Sequence, residues 1–135
     1  MARLSVLALS ARLPGWAEEA CAEYAKRMPK GYEVARIAVK NESALRAALP
    51  RNARAVALDE RGKEMTTAQF AALLKTETTF VIGGPDGLEE NVKKDAALLL
   101  RLSSLTLPHA LAQVVLLEQI YRAATLLSGH PYHRA

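Results

Sequence analysis

The feature that most constrains this chain is a repeated switch between two apolar periodicities. Short β-type runs are each followed by a run at helical spacing, five times within 135 residues. Residues 4–9 read as a first strand, and after Pro14-Gly15 the residues Ala17, Ala20, Cys21, Tyr24 and Met28 recur as one helix face until Pro29 and Gly31 end it. Residues 32–39 form a second predicted strand, 42–49 a short helix stopped by Pro50, and 53–58 a third strand. Thr66 has the chemistry of an N-cap and opens a predicted helix through Lys75. The β-branched and aromatic run Thr78-Thr79-Phe80-Val81-Ile82 is a fourth strand, and a helix from near Glu89 leads to a fifth strand over 98–102. Such alternation predicts an α/β fold with a mostly parallel sheet covered by helices on both faces. Without repeats, linkers or low-complexity tracts, residues 1–135 read as a single domain.

Composition narrows the setting. Half of the residues are hydrophobic and 24% are charged, a globular balance rather than a disordered one. The single Cys21 excludes an internal disulfide and a cysteine-based zinc site, so a reducing, cytoplasmic setting is expected. The apolar run at residues 1–10 is read as a strand rather than a signal peptide, no stretch is expected to reach transmembrane length, and no membrane partner is expected. Charge is uneven. Residues 1–54 carry ten Lys and Arg against five acids (+5), whereas residues 55–135 carry eight against nine (−1). Arg27, Lys30, Arg36, Lys40, Arg46, Arg51 and Arg54 could form a phosphate-facing surface or simply a solvated basic face, so nucleic acid is permitted and not required.

In parallel sheets ligands bind beyond the carboxyl ends of the strands, and three loops there stand out. They are Asp59-Glu60-Arg61-Gly62-Lys63, Gly83-Gly84-Pro85-Asp86-Gly87 and Ser103-Ser104-Leu105-Thr106-Leu107-Pro108, all expected on one sheet edge. The glycine-rich loop fits neither the dinucleotide fingerprint nor the P-loop, which weakens ordinary nucleotide readings. Its glycines do allow a ligand close to backbone, and Pro-Asp-Gly favours a tight turn. In the third loop, small polar residues alternate with apolar anchors, which suits backbone wound around a ligand.

Pro108 fits the start of a long helix over 108–127 that closes at Ser128-Gly129. Glu118, Gln119, Arg122 and Thr125 share a narrow polar arc, and Gln113 lies on the opposite, otherwise apolar side. Gln113 can be a satisfied buried amide or a group that hydrogen-bonds across an interface or to a ligand. So much apolar circumference predicts that part of the helix is a homodimer interface; a helix wholly buried in the monomer is the alternative. All three histidines lie in the final 27 residues, at His109 and in the terminal His130-Pro131-Tyr132-His133-Arg134. A metal reading of His130 and His133 fails for want of further ligands.

Taken together, Val81-Ile82-Gly83-Gly84-Pro85-Asp86-Gly87-Leu88, Leu102-Ser103-Ser104-Leu105-Thr106-Leu107-Pro108-His109 and the terminal His-Pro-Tyr-His-Arg resemble the RlmH family. The likeness runs the whole chain, including Leu13-Pro14-Gly15-Trp16 and Ala57-Leu58-Asp59. These are SPOUT-class methyltransferases that use S-adenosylmethionine to methylate N3 of a pseudouridine in the helix 69 loop of 23S rRNA, on a nearly assembled ribosome. The resemblance implies a C-terminal deep trefoil knot that forms the cofactor pocket, no metal, and a homodimer in which one subunit's tail can complete the other's site. By motif matching, the cofactor-binding residues are Leu58, Asp59, Gly83, Gly84, Ser103, Ser104, Leu105, Thr106, Leu107 and Pro108. The catalytic candidates are His109, Tyr132, His133 and Arg134. Arg134 and Tyr132 would hold base and phosphate, and either His109 or His133 would accept the proton; a structural helix-start role for His109 is equally open. One departure is the segment 40–52, shorter than in typical members, which bears on ribosome docking; Arg46, Arg51 and Arg54 are the candidate substitutes. The competing readings are a SPOUT methyltransferase acting on tRNA and a non-catalytic dimer that binds ribosomes.

Overall fold

The computed structural model describes residues 4–9, 12–51, 54–84 and 86–134, with backbone only at His133 and Arg134. Five strands, β1 (Leu4–Leu9), β2 (Val34–Val39), β3 (Arg54–Glu64), β4 (Thr78–Ile82) and β5 (Leu98–Arg101), form one sheet in the order β2-β1-β4-β3-β5. Every pairing is parallel. The helices are α1 (Gly15–Lys26), α2 (Glu42–Ala48), α3 (Thr67–Leu73), α4 (Glu90–Asp95) and α5 (His109–Ser128), and the tail forms a 3-10 turn over Pro131–Arg134.

Side-chain alternation along the strands builds two cores. Leu4, Val6, Val56, Phe80 and Ile82 face one way, against Cys21 of α1, Phe70 of α3 and the Leu74 that caps it, and Leu116, Leu117 and Ile120 of α5. Leu7, Ala57 and Val81 face the other way, against Leu45 of α2 and Val92 of α4. The period of two in the strands therefore places helices on both faces, as expected. Phe70 and Phe80 stack with centroids 5.4 Å apart in the larger core.

Local chemistry sets the boundaries. Thr66 accepts the Gln69 N–H at 3.1 Å, and Gln69 returns the bond to the Thr66 N–H at 2.9 Å, a complete capping box. Asn41 caps α2 through Ala44 at 2.8 Å. β2 begins two residues later than the periodicity suggests, because Tyr32 donates to the Pro29 carbonyl and the Glu33 carboxylate accepts from Gly31, closing a turn first.

The third strand corrects the sequence reading most. The charged run Asp59-Glu60-Arg61-Gly62-Lys63 is not a free loop but a bulge inside β3, since Leu100 of β5 pairs with Leu58 and again with Lys63. Gly62 makes this possible, because a Cβ there would lie 2.7 Å from the backbone of Leu99 and Leu100. Composition marks such a run as loop, whereas an unpaired edge of β5 recruits it.

Helix α5 is twenty residues, long and apolar enough by length and composition alone to cross a membrane, contrary to the sequence reading. Its Leu116, Leu117, Ile120, Ala123 and Ala124 are fully buried in the fold, as in the core helix of a globular protein. Thr125, placed on the polar arc by periodicity, is also buried, its hydroxyl satisfied by the Arg122 carbonyl at 2.7 Å. Gly129 ends the helix in the left-handed region at φ 82°.

Candidate active site

The order β1-β4-β3-β5 sets the carboxyl ends of β3, β4 and β5 side by side, and the segments leaving them enclose a cavity of about 730 Å³. That volume is in the range of small-molecule sites. Its floor is apolar, from the buried Ile82, Leu88 and Leu100. Its walls are largely main chain.

One wall is the glycine loop. Gly87, at φ 79°, donates to the Gly84 carbonyl at 2.9 Å, folding the loop back on itself. A Cβ on Gly83 would stand 2.5 Å from the Gly87 carbonyl carbon, so only glycine permits this closure. Gly84 is less crowded, its notional Cβ 3.0 Å from the Leu9 carbonyl oxygen.

The opposite wall is the loop after β5. The Ser103 hydroxyl accepts the Leu105 N–H at 2.9 Å, which pins the turn and leaves Leu105 76% exposed at the rim. Thr106, Leu107 and Pro108 continue the wall into α5, whose first residue, His109, also faces the cavity. Gln113, one turn on, is buried and lies 3.0 Å from His109 Nε2. Within this chain Gln113 is a buried amide bound to a histidine.

The β3 bulge supplies the third side. Asp59 accepts from the Arg61 N–H at 3.2 Å and faces Lys93 Nζ at 3.5 Å. Lys93 also pairs with Glu90 at 3.2 Å; that bond foremost, with Asp59 adding to it, holds the ammonium above its ordinary range. Arg101 lines the cavity and pairs with Glu64 at 2.7 Å.

The structure brings together most of the residues singled out from the sequence. Leu58, Asp59, Gly83, Gly84, Ser103, Leu105, Thr106, Leu107, Pro108 and His109 all line the cavity, and Ser104 does not. Lys93, Arg101 and Ala112 line it without having been singled out. Lys93 sits at helical spacing in an unremarkable charged run, and only its approach to Asp59 reveals it. Tyr132 lies elsewhere. Its hydroxyl donates to Glu118 at 2.9 Å, and its ring stands 4.6 Å from that of Tyr121. Burial first, and then the bond to Glu118, pushes the phenol pKa well above its ordinary value. The side chains of His133 and Arg134 lie outside the described residues. Several of the N-terminal arginines are engaged with acids: Arg27 with Glu23, Arg36 with Glu18 and Arg46 with Glu89, at 2.7 to 2.9 Å. Among the described residues no group of three or more His, Cys, Asp or Glu could hold a metal ion.

A parallel α/β sheet with a main-chain-walled pocket at its strand ends defines a class of ligand-binding proteins, and comparison with known proteins makes it specific. Residues 2–133 match a family model described as predicted SPOUT methyltransferase. A ribosomal RNA large subunit methyltransferase H from Paraburkholderia phymatum is 44% identical, covering 98% of this chain and 99% of its own length. The protein of the same name from Polynucleobacter asymbioticus is likewise 44% identical over 98% of this chain. The chain therefore belongs to the SPOUT methyltransferases, in the ribosomal RNA large subunit methyltransferase H (RlmH) family. The Paraburkholderia alignment runs over 154 positions against 135 residues here, so that relative carries segments this chain lacks.

Among solved structures, one described as giving structural insights into 2-OH methylation of C/U34 on tRNA has a TM-score of 0.62 at 20% identity, covering 95% of this chain and 98% of that one. The AviRb SpoU methyltransferase of Streptomyces viridochromogenes, solved with AdoMet, has a TM-score of 0.54 at 15% identity, covering 88% of this chain and 56% of that one. At such identities these show the fold alone.

Proposed function

We propose that this methyltransferase acts on the large ribosomal subunit, methylating N3 of the pseudouridine in the helix 69 loop of 23S rRNA with S-adenosylmethionine. It works in the cytoplasm, as a homodimer, on the assembled ribosome. The observation that carries the reading is that three segments far apart in sequence, each matching a family motif, converge on one pocket. The names of relatives that match nearly the full chain supply the substrate.

The pocket suits the proposed cofactor. The apolar floor can take an adenine ring, the glycine loop admits close approach, and Asp59 offers a carboxylate to a hydroxyl or ammonium. When bound, S-adenosylmethionine supplies an electrophilic methyl group. The walls at Leu58, Asp59, Gly83, Gly84, Ser103 and the run from Leu105 to Pro108 would hold it, and the C-terminal knot expected of the family belongs to the same proposal.

The chain's own contribution is mostly positioning, since reacting atoms must come within roughly 3 to 3.5 Å. The N3 proton lies between two carbonyls and is weakly acidic, so a base and a cation both help. His109 at the cavity wall, or His133 in the tail, accepts that proton, and Arg134 stabilises the developing imide anion. Within one subunit Tyr132 is anchored at Glu118, nine residues or roughly 14 Å along α5 from His109. That separation supports a tail serving the pocket of the second subunit. The exposed Trp16, Ile37 and Leu111 offer apolar surface for such a pairing.

The deciding experiment is transfer of labelled methyl from S-adenosylmethionine to ribosomes lacking the modification. Label at N3 of the helix 69 pseudouridine is the expected result. Label on tRNA instead would overturn the substrate, and absent cofactor binding in titration calorimetry would favour the non-catalytic reading.

A further inference from the structure

The carboxylate of Glu118 is the hub of a network no catalytic step above employs. It lies midway along α5 with its side chain only 18% exposed. One oxygen, Oε2, accepts from the Tyr132 hydroxyl at 2.9 Å, from Arg122 Nε at 3.0 Å and from the Arg122 terminal nitrogen at 2.8 Å. The other, Oε1, accepts from Gln119 Nε2 at 2.7 Å. The Tyr132 ring is clasped as well, with the Arg122 guanidinium 4.9 Å from its centroid and Tyr121 at 4.6 Å. Tyr121 in turn packs against Tyr24 of α1 at 5.9 Å.

The backbone leading to Tyr132 is fastened too. Gly129 turns the chain at φ 82°, His130 donates its N–H to the Thr125 carbonyl at 2.9 Å, and the Tyr132 N–H donates to His130 Nδ1 at 3.3 Å. The 3-10 turn over Pro131–Arg134 is four residues, too short to hold its own geometry. Its position therefore comes from these bonds together with the side-chain anchor. Residues 133 and 134 follow Tyr132 directly, so whatever fixes Tyr132 fixes where they start.

We infer that Glu118, with Arg122, is a positioning residue that latches the C-terminal turn onto α5 through the Tyr132 hydroxyl, thereby aiming His133 and Arg134 at the RNA. Glu118 touches neither substrate nor cofactor; it acts through Tyr132. Tyr132 itself is then an anchor rather than a group that handles the base, because its hydroxyl is committed to a carboxylate and its ring is packed between Arg122 and Tyr121. This rests on the reading that the tail serves methyl transfer. Small displacements of reacting groups can cost up to about 100-fold in rate.

The test compares E118A, E118Q and Y132F in the full chain. Cofactor affinity is measured by calorimetry, kcat and KM by labelled methyl transfer to unmodified ribosomes, and tail attachment by the rate at which carboxypeptidase removes the C-terminal residues. E118A and Y132F should each lower kcat by about 10- to 100-fold, leave cofactor affinity within about twofold, and accelerate tail digestion. E118Q keeps an acceptor for the Tyr132 hydroxyl and should recover part of both losses. The E118A/Y132F double variant should be no worse than the poorer single one, since both break one link. Wild-type kcat and tail digestion in E118A would overturn the latch, as would additive losses. If the wild-type chain transfers no methyl, the proposed function fails. The digestion arm still decides the latch, because it needs no catalysis.

Discussion

The pocket and the tail hang from one helix and are held by different means. The pocket at the start of α5 is made of main chain, with glycines folded onto one another, a serine-pinned turn and an apolar floor. The tail is held by a charged hydrogen bond, stacked rings and a cation over a ring. Backbone-built sites fail when a side chain is added; side-chain-built ones fail when a side chain is removed. The two should therefore come apart under mutation.

The largest effect is expected at Gly83. Gly83→Ala places a Cβ 2.5 Å from the Gly87 carbonyl carbon and should abolish measurable S-adenosylmethionine binding by calorimetry, whereas Gly84→Ala, with its nearest atom at 3.0 Å, should weaken it less. Equal affinities for the two variants would break the picture of a self-closing loop. Next comes Arg134→Ala, which should lower kcat by about 100-fold with cofactor affinity unchanged. A parallel loss of affinity would show that the tail also builds the pocket.

A pH series sharpens the same contrast. The Tyr132 phenol is held neutral, its folded pKa above the unfolded one, so the stability it lends is complete below about pH 10. It is lost as pH rises through the folded value. Carboxypeptidase digestion of the tail should accelerate on that alkaline limb in the native chain and show no such limb in Y132F. Lys93→Ala should change cofactor affinity by no more than about fivefold, because a partly exposed ion pair contributes about 0–1 kcal/mol. Thr66→Ala is the smallest for function: it removes the cap of α3, a residue that lines neither the pocket nor the tail turn, and should cost about 1 kcal/mol in thermal unfolding, with kcat intact.

The pocket was more legible than the tail for a physical reason. Glycine, proline and serine at strand ends report local backbone geometry, and each of the three segments could be found by itself. That Tyr132 meets Glu118, fourteen residues back, depends on how a 3-10 turn folds against a helix, which no periodicity encodes. Lys93 escaped notice because its partner Asp59 is 34 positions away. Asp59 itself was found as part of a loop that proved to be a bulge.

Local sequence alone set the alternation of strands and helices, the capping of α3 by Thr66, the end of α5 at Gly129 and the two faces of each strand. These follow from forces acting within a few residues: side-chain period, cap hydrogen bonds and the left-handed freedom of glycine. Long-range packing set the order β2-β1-β4-β3-β5, the bulge that lets Leu100 pair twice, and the bond of the Tyr132 hydroxyl to Glu118. Those depend on surfaces meeting across the chain. Packing chooses among pairings that local propensity leaves equal.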